Sequence, residues 1–354
     1  MEHKITLANC SQHFTMQESE TILEAAIRAG VSINYGCSGG SCGLFKARLL
    51  KGSVREIRPH VYSLPESEKL QGSILTCVNT ASEDLELDAI VASSVHDITQ
   101  QEICVKVRKV EQVASEVFKL IVQTPRTQRL RFLAGQYVEL KKDQHTIGCM
   151  AIASCPCEDR LIEFHVRKKE DDAFADYIAS AAKTGDTLQL LGPFGEFVYD
   201  EDANRPVILF AFDTGFAAIK SLLEHITAQE QELSIHLIWM SCGEDGLYLH
   251  NLCRSWNDAF DNFTYTGITL KESLQQLAMD AEASRATVAS HMQDVMRTYS
   301  DLSTHDVYVS APEPATVLFK QICLAKNILE GRFFAEPVRG NEDMTCLLTL
   351  QNEH

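Results

Sequence analysis

No apolar run in the sequence approaches the roughly 18 residues needed to cross a bilayer, so membrane insertion is not expected. Nor is there a basic block to set against a formal charge of −17. Nucleic acids and anionic membranes both demand clustered Lys and Arg, so neither is the expected partner. A solvated acidic surface accounts for the charge, and docking to a basic protein is the second reading. Low-complexity tracts and internal repeats are missing too. The opening residues, Met1-Glu2-His3-Lys4-Ile5, lack the apolar core and cleavage site of a signal peptide, and a cytoplasmic protein is expected.

What is present is ordinary globular material. The 354 residues, 45% hydrophobic and 23% charged, predict two or three domains with packed cores. Twelve cysteines are many for a chain expected to stay in a reducing compartment, which makes metal binding the first question and burial as small apolar side chains the second. Nine of them, Cys10, Cys104, Cys149, Cys155, Cys157, Cys242, Cys253, Cys323 and Cys346, show no ligand spacing and read as packing. Cys37, Cys42 and Cys77 remain.

Hydrophobic periodicity divides the chain into three segments. Residues 1–97 read as a β-rich unit with one helix: a hairpin from Lys4–Leu7 and His13–Met16, a capped helix within Ser19–Gly30, a Gly/Ser-rich loop, and a strand over Phe45–Leu50. Residues 98–202 carry alternating strands at Ile103–Val110, Val117–Val122, Gln136–Leu140 and Ile162–Arg167, with one helix near Phe174–Ala182, the pattern of an antiparallel barrel. Residues 203–354 switch to buried strands separated by helices: Pro206–Ala211, a helix over Ala217–Ile226, then Leu233–Met240 and Asp306–Ser310. This is the pattern of a doubly wound parallel sheet.

Each segment carries a motif. Cys37-Ser38-Gly39-Gly40-Ser41-Cys42-Gly43-Leu44-Phe45, with the distant Cys77, resembles the loop of plant-type [2Fe–2S] ferredoxins. That loop needs four thiolates, two for each iron. Here the third position is Phe45, whose ring cannot coordinate iron and which reads as core filling the vacated space. In the second segment, Phe132-Leu133-Ala134-Gly135-Gln136-Tyr137-Val138 and Ile152-Ala153-Ser154 resemble the flavin domain of the ferredoxin–NADP reductase family. The family's Arg-x-Tyr-Ser, which holds a flavin phosphate, stacks on the isoalloxazine and bonds near N5, reads Gly148-Cys149-Met150-Ala151 here. Loss of an Arg–phosphate contact alone weakens binding by about 1–3 kcal/mol. His165 and Arg167 persist on the next strand as candidate phosphate contacts. Where the resemblance implies a Gly-rich phosphate loop, Lys168-Lys169-Glu170-Asp171-Asp172 places carboxylates instead.

The third segment resembles the family's nicotinamide domain. Phe212-Asp213-Thr214-Gly215 stands where a Gly-Gly-Thr-Gly turn is usual, and Ser310-Ala311 stands at the Cys-Gly pair beside the nicotinamide. The order ferredoxin, flavin barrel, nicotinamide domain is that of reductases serving bacterial oxygenases and nucleotide-linked deoxysugar pathways. The resemblance therefore implies a β-grasp unit, an antiparallel flavin barrel and a doubly wound α/β domain. The implied cofactors are a 2Fe–2S cluster on Cys37, Cys42 and Cys77, FAD near Ser154, His165 and Arg167, and NAD(P)H near Thr214, Gly215 and Ser310. The implied partner is a redox or oxygenase protein. Two functions follow. The number of replaced contacts favours a pseudo-reductase acting as an accessory or regulatory partner; the alternative is a working NAD(P)H-dependent reductase.

Overall fold

In a computed structural model, the structure describes residues 2–8, 12–29, 31, 33, 46–89, 95, 98, 100–125, 128–158, 160–169, 171–201, 203–229, 233–243, 245–271 and 281–338, with 281–284 given by backbone alone. Cys37, Cys42 and Phe45 lie outside the described residues.

The first unit opens with the expected hairpin, β1 (Glu2–Leu7) against β2 (His13–Gln17), with Ile5 opposite Phe14. Period-2 alternation buries Ile5, Leu7, Phe14 and Met16 on one face. Helix α1 (Ile22–Arg28) begins at a capping box: Glu24 N donates to Thr21 Oγ1 at 3.2 Å and Thr21 N donates to Glu24 Oε2 at 2.9 Å. Two donors with no partner inside the helix are thereby satisfied. Strands β3 (Lys46–Lys51) and β4 (Val54–Glu56), helix α2 (Glu66–Leu70), and strands β5 (Ser73–Leu75), β6 (Asn79–Ala81) and β7 (Leu85–Asp88) follow. The main sheet runs β2-β1-β7-β3-β5 with β1 and β7 parallel, a β-grasp arrangement closed by the buried face of α1.

The second unit is an antiparallel barrel of β8 (Gln101–Ala114), β9 (Val117–Gln123), β10 (Tyr137–Lys141), β11 (Ile147–Ala151), β12 (Leu161–Arg167) and β13 (Thr187–Phe194). Its order is β11-β10-β13-β8-β9-β12, and an Ile152–Phe164 bridge brings the two ends together. Helix α3 (Ala173–Ser180) plugs the barrel with Phe174, Ala175 and Ile178.

The third unit is a parallel sheet: β14 (Val207–Phe212), α4 (Phe216–Ala228), β15 (Ile235–Cys242), α5 (His250–Ala259), β16 (Phe263–Leu270), α6 (Ala281–Met296), β17 (Asp306–Ser310), α7 (Glu313–Leu324) and β18 (Phe333–Glu336). The order β16-β15-β14-β17-β18 reverses direction between β14 and β17, the switch point where open α/β sheets bind ligands. Strand β14 is buried on both faces, as its unbroken apolar run predicts. Ile208, Phe210 and Phe212 pack toward α6 and α7, and Leu209 and Ala211 toward α4. Among the described residues, no helix is long and apolar enough to cross a membrane.

One buried group in this unit gives a pH-dependent stability. His236 on β15 has Nδ1 2.7 Å from the Tyr299 hydroxyl and Nε2 2.9 Å from Thr266 Oγ1. Burial pushes its pKa down from 6.5 to about 4, so below pH 6.5 the unfolded chain takes up a proton that the folded chain refuses. Stability present above 6.5 is therefore lost as pH falls toward 4, by about 3 kcal/mol. Urea unfolding at pH 7 and pH 4.5 measures this, and His236→Gln is expected to flatten that part of the profile.

Candidate functional site

The switch point faces the barrel, and the seam between them is where the sequence places most of its candidate residues. β14 ends in a single tight turn, Asp213–Gly215, that enters α4 directly. Gly215 lies flat against the end of β17: a Cβ there would meet the Ser310 carbonyl oxygen at 2.2 Å. Thr214, Gly215 and Ser310 are thus brought together and buried. Asp213 sits in the left-handed region at φ 53°, fully buried.

Its carboxylate is met by Arg167 from β12. Arg167 Nε donates to Asp213 Oδ2 at 2.5 Å, Nη2 donates to Oδ1, and Nη1 reaches Glu116 Oε2 at 3.1 Å. Burial opposes the guanidinium charge, but the adjoining Asp213 carboxylate outweighs it and raises the Arg167 pKa. Two further groups fix the same turn: Trp239 Nε1 donates to the Asp213 carbonyl at 3.0 Å, and Ser241 Oγ to Oδ1 at 3.3 Å.

His165, two residues before Arg167, lies beneath an aromatic cluster. Phe216 stacks on Trp239 at 3.9 Å between ring centres, and Tyr248 stands edge-on to both Trp239 and His165. Burial lowers the His165 pKa, which favours the neutral ring. Its Nε2 lies 2.9 Å from Glu163 Oε1 and its Nδ1 2.9 Å from the Tyr248 hydroxyl. A carboxylate only accepts, so Nε2–H donates to Glu163 and Nδ1 accepts from Tyr248. Burial raises the Glu163 pKa, but the His165 hydrogen bond and nearby cations win, and it settles at about 2. Lys220 of α4 completes the network, 3.4 Å from Glu163 and 2.7 Å from Glu224. Ser154 joins the same seam: its carbonyl accepts from Ser221 Oγ at 2.7 Å, and its hydroxyl accepts from Glu163 N at 3.2 Å.

On the barrel side, Gly148 faces α3. A Cβ at 148 would meet the Phe174 ring at 2.3 Å, so that ring fills the space a side chain would take. The N-terminus of α3 is closed by its own chain, because Asp172 Oδ1 accepts from Ala175 N at 2.8 Å. In the ferredoxin-like unit only Cys77 of the cluster positions is described; it is buried with Leu23, Leu75 and Val78.

The N-terminal part of the chain, residues 5–82, matches the 2Fe-2S iron-sulfur cluster binding domain, and residues 104–199 match the oxidoreductase FAD-binding domain. A terephthalate 1,2-dioxygenase reductase component from Comamonas sp. is 30% identical over 311 residues, 87% of this chain and 89% of that protein. This chain belongs to the ferredoxin–NADP reductase family. A CDP-6-deoxy-L-threo-D-glycero-4-hexulose-3-dehydrase reductase from Yersinia pseudotuberculosis is 29% identical over 324 residues, 91% of this chain and 94% of that protein. Among solved structures, an Amycolatopsis cytochrome P450 reductase shares the fold, with a TM-score of 0.57, 19% identity and coverage of 95% of this chain and 98% of that one. The matched domains are those of a 2Fe–2S cluster and of FAD, and binding of NAD(P)H is typical of the family.

Set against the family's flavin contacts, the seam does not fit a diphosphate. The arginine position is glycine with Phe174 in its place, the amide end of α3 is capped by Asp172, and Arg167 is held by Asp213. At the positions of the cluster motif the sequence carries three thiols, Cys37, Cys42 and Cys77, where a plant-type cluster takes four. Sequence alone places Arg167 and Asp213 in separate motifs and does not show that they meet. Nor does it single out Phe174, Lys220, Trp239 or Tyr248. A fully buried strand–turn–helix holding a lone Asp is the one signal pointing to a buried cationic partner.

Proposed function

We propose that this chain is the reductase-type component of a multiprotein redox system and engages a redox or oxygenase protein, with its three units bounded near residues 97 and 202. The observation that carries this reading is the likeness to reductase components over 87–91% of the chain, which spans all three units. Those relatives are named as reductases of a dioxygenase and a dehydrase, and they favour the working form: NAD(P)H is oxidised and electrons pass to a protein acceptor.

A second reading has a specific observation behind it. Phe174 beside Gly148 and the Arg167–Asp213 pair support an accessory component that keeps the docking surfaces of a reductase without its turnover. One experiment separates the two. The full chain is supplied with FAD, reconstituted anaerobically with iron and sulfide, and assayed for NAD(P)H-dependent reduction of an artificial acceptor. Turnover supports the working form. Its absence, with capture of a redox protein from the native host, supports the accessory form. Capture of no redox protein together with absence of turnover counts against both.

A further inference from the structure

Between β11 and β12 the chain crosses the seam through Ile152-Ala153-Ser154-Cys155-Pro156-Cys157. Cys155 and Cys157 are joined by a disulfide, with their Cα atoms 5.2 Å apart. By sequence both read as packing, because they show no typical ligand spacing. We propose that Cys155-Pro156-Cys157 is a thiol–disulfide exchange site, reduced by small thiols or a partner dithiol and reoxidised by a disulfide of the same class. The proposal does not depend on flavin or cluster binding.

Three observations carry it. A disulfide steadies a fold mainly by closing a loop in the unfolded chain, with a gain that grows with loop length; a bridge spanning one intervening residue has little of this to contribute. The segment is also held without it, since α4 grips three consecutive residues. Lys220 Nζ donates to the Ala153 carbonyl at 3.0 Å, Ser221 Oγ to the Ser154 carbonyl at 2.7 Å, and Cys155 N donates to Glu224 Oε2 at 3.2 Å. Finally, the two sulfurs stand in unequal surroundings. Cys155 is buried, whereas Cys157 is only half-buried, and Cys157 N donates to Cys155 Sγ at 3.2 Å.

That asymmetry assigns the order of events. An incoming thiolate attacks the sulfur of Cys157, the less buried of the two residues, a mixed disulfide forms, and the Cys155–Cys157 bond breaks. Cys155 leaves as the thiolate, steadied by the Cys157 N–H already aimed at it. A second external thiol then attacks the mixed disulfide and releases Cys157. Two thiols have become one disulfide, two electrons have entered the bridge, and the two protons end on Cys155 and Cys157.

The test uses the native full chain. It is equilibrated in mixtures of reduced and oxidised dithiothreitol, quenched with N-ethylmaleimide and digested with trypsin, and peptide 143–160 is sequenced by mass spectrometry. The expected result is that label on Cys155 and Cys157 is lost together as the buffer becomes oxidising and regained together as it becomes reducing. Exposed Cys104 serves as the internal control that keeps its label. With oxidised glutathione, Cys155→Ser is expected to retain a mixed disulfide on Cys157, and Cys157→Ser to retain little on Cys155. Full labelling of both cysteines in oxidising buffer would overturn the proposal, and so would a bridge that yields to dithiothreitol only after urea unfolding.

Discussion

Replacing Asp213 with alanine is expected to destabilise the chain by about 3–5 kcal/mol, the cost of leaving a buried charge without its partner. Among the described residues, Arg167, with a side chain 10% exposed, would keep the exposed Glu116 as its ion-pair partner. Alanine at φ 53° adds strain that aspartate tolerates better. Urea unfolding followed by tryptophan fluorescence reads this seam, since buried Trp239 donates to the Asp213 carbonyl. Asp213→Asn keeps the backbone geometry but still strands the guanidinium. Adding Arg167→Met to Asp213→Asn removes the stranded charge and is expected to restore most of the loss. If the double variant is as unstable as the sum of the two single variants, the pair is not the interaction that matters there.

The second large effect belongs to Phe174. Truncation to alanine empties the barrel's inner face and is expected to cost about 3–5 kcal/mol, because the side chain is fully buried among the barrel strands. The more telling comparison is Gly148→Ala. With Phe174 present, the added methyl falls 2.3 Å from the ring, and overpacking is expected to cost about 1–3 kcal/mol. With Phe174→Ala in place the same methyl enters empty space, and its cost is expected to vanish. Thermal unfolding of the four proteins in that cycle gives the coupling directly. Additive losses would mean that the ring does not occupy the space above Gly148.

Most of the architecture is legible from periodicity. Period-2 alternation places β1, β2 and four of the six barrel strands, whereas β11 and β13 emerge only in the structure. The unbroken apolar run at 207–212 marks a strand buried on both faces, and a polar cap within Ser19–Gly30 announces α1, whose capping pair, Thr21 and Glu24, the structure identifies. What stays hidden are contacts between residues far apart in the chain. Arg167 and Asp213 are 46 residues apart. Taken singly they read as a candidate phosphate contact and as a replaced glycine of the nicotinamide turn, and only the docking of barrel on α/β unit turns them into one ion pair. Phe174 follows the acidic loop and reads as an ordinary helix residue, because nothing local says that it points at Gly148. The Cys155–Cys157 bridge is hidden for a different reason. A spacing of one intervening residue lies outside the two-to-four-residue spacing typical of structural metal sites, and only the folded segment between β11 and β12 shows the two sulfurs bonded.

The acidic residues of the seam show the same dependence on tertiary context. At sequence level Asp172 and Asp213 are charges standing where phosphate belongs. In the fold each has a specific donor: Asp172 the Ala175 amide, Asp213 the Arg167 guanidinium. Both carboxylates are thus tied to donors of this chain's own fold. The flavin domain's shape is therefore expected here without the phosphate contacts that the resemblance implies.

Calorimetric titration of the full chain with FAD and, separately, with riboflavin addresses that expectation most directly. With no arginine at 148, a capped α3 and Arg167 engaged, the phosphates of FAD gain nothing, and FAD is expected to bind no more tightly than riboflavin. Two charge-assisted contacts are worth on the order of a hundredfold in affinity. FAD binding tighter than riboflavin by that factor would contradict the account.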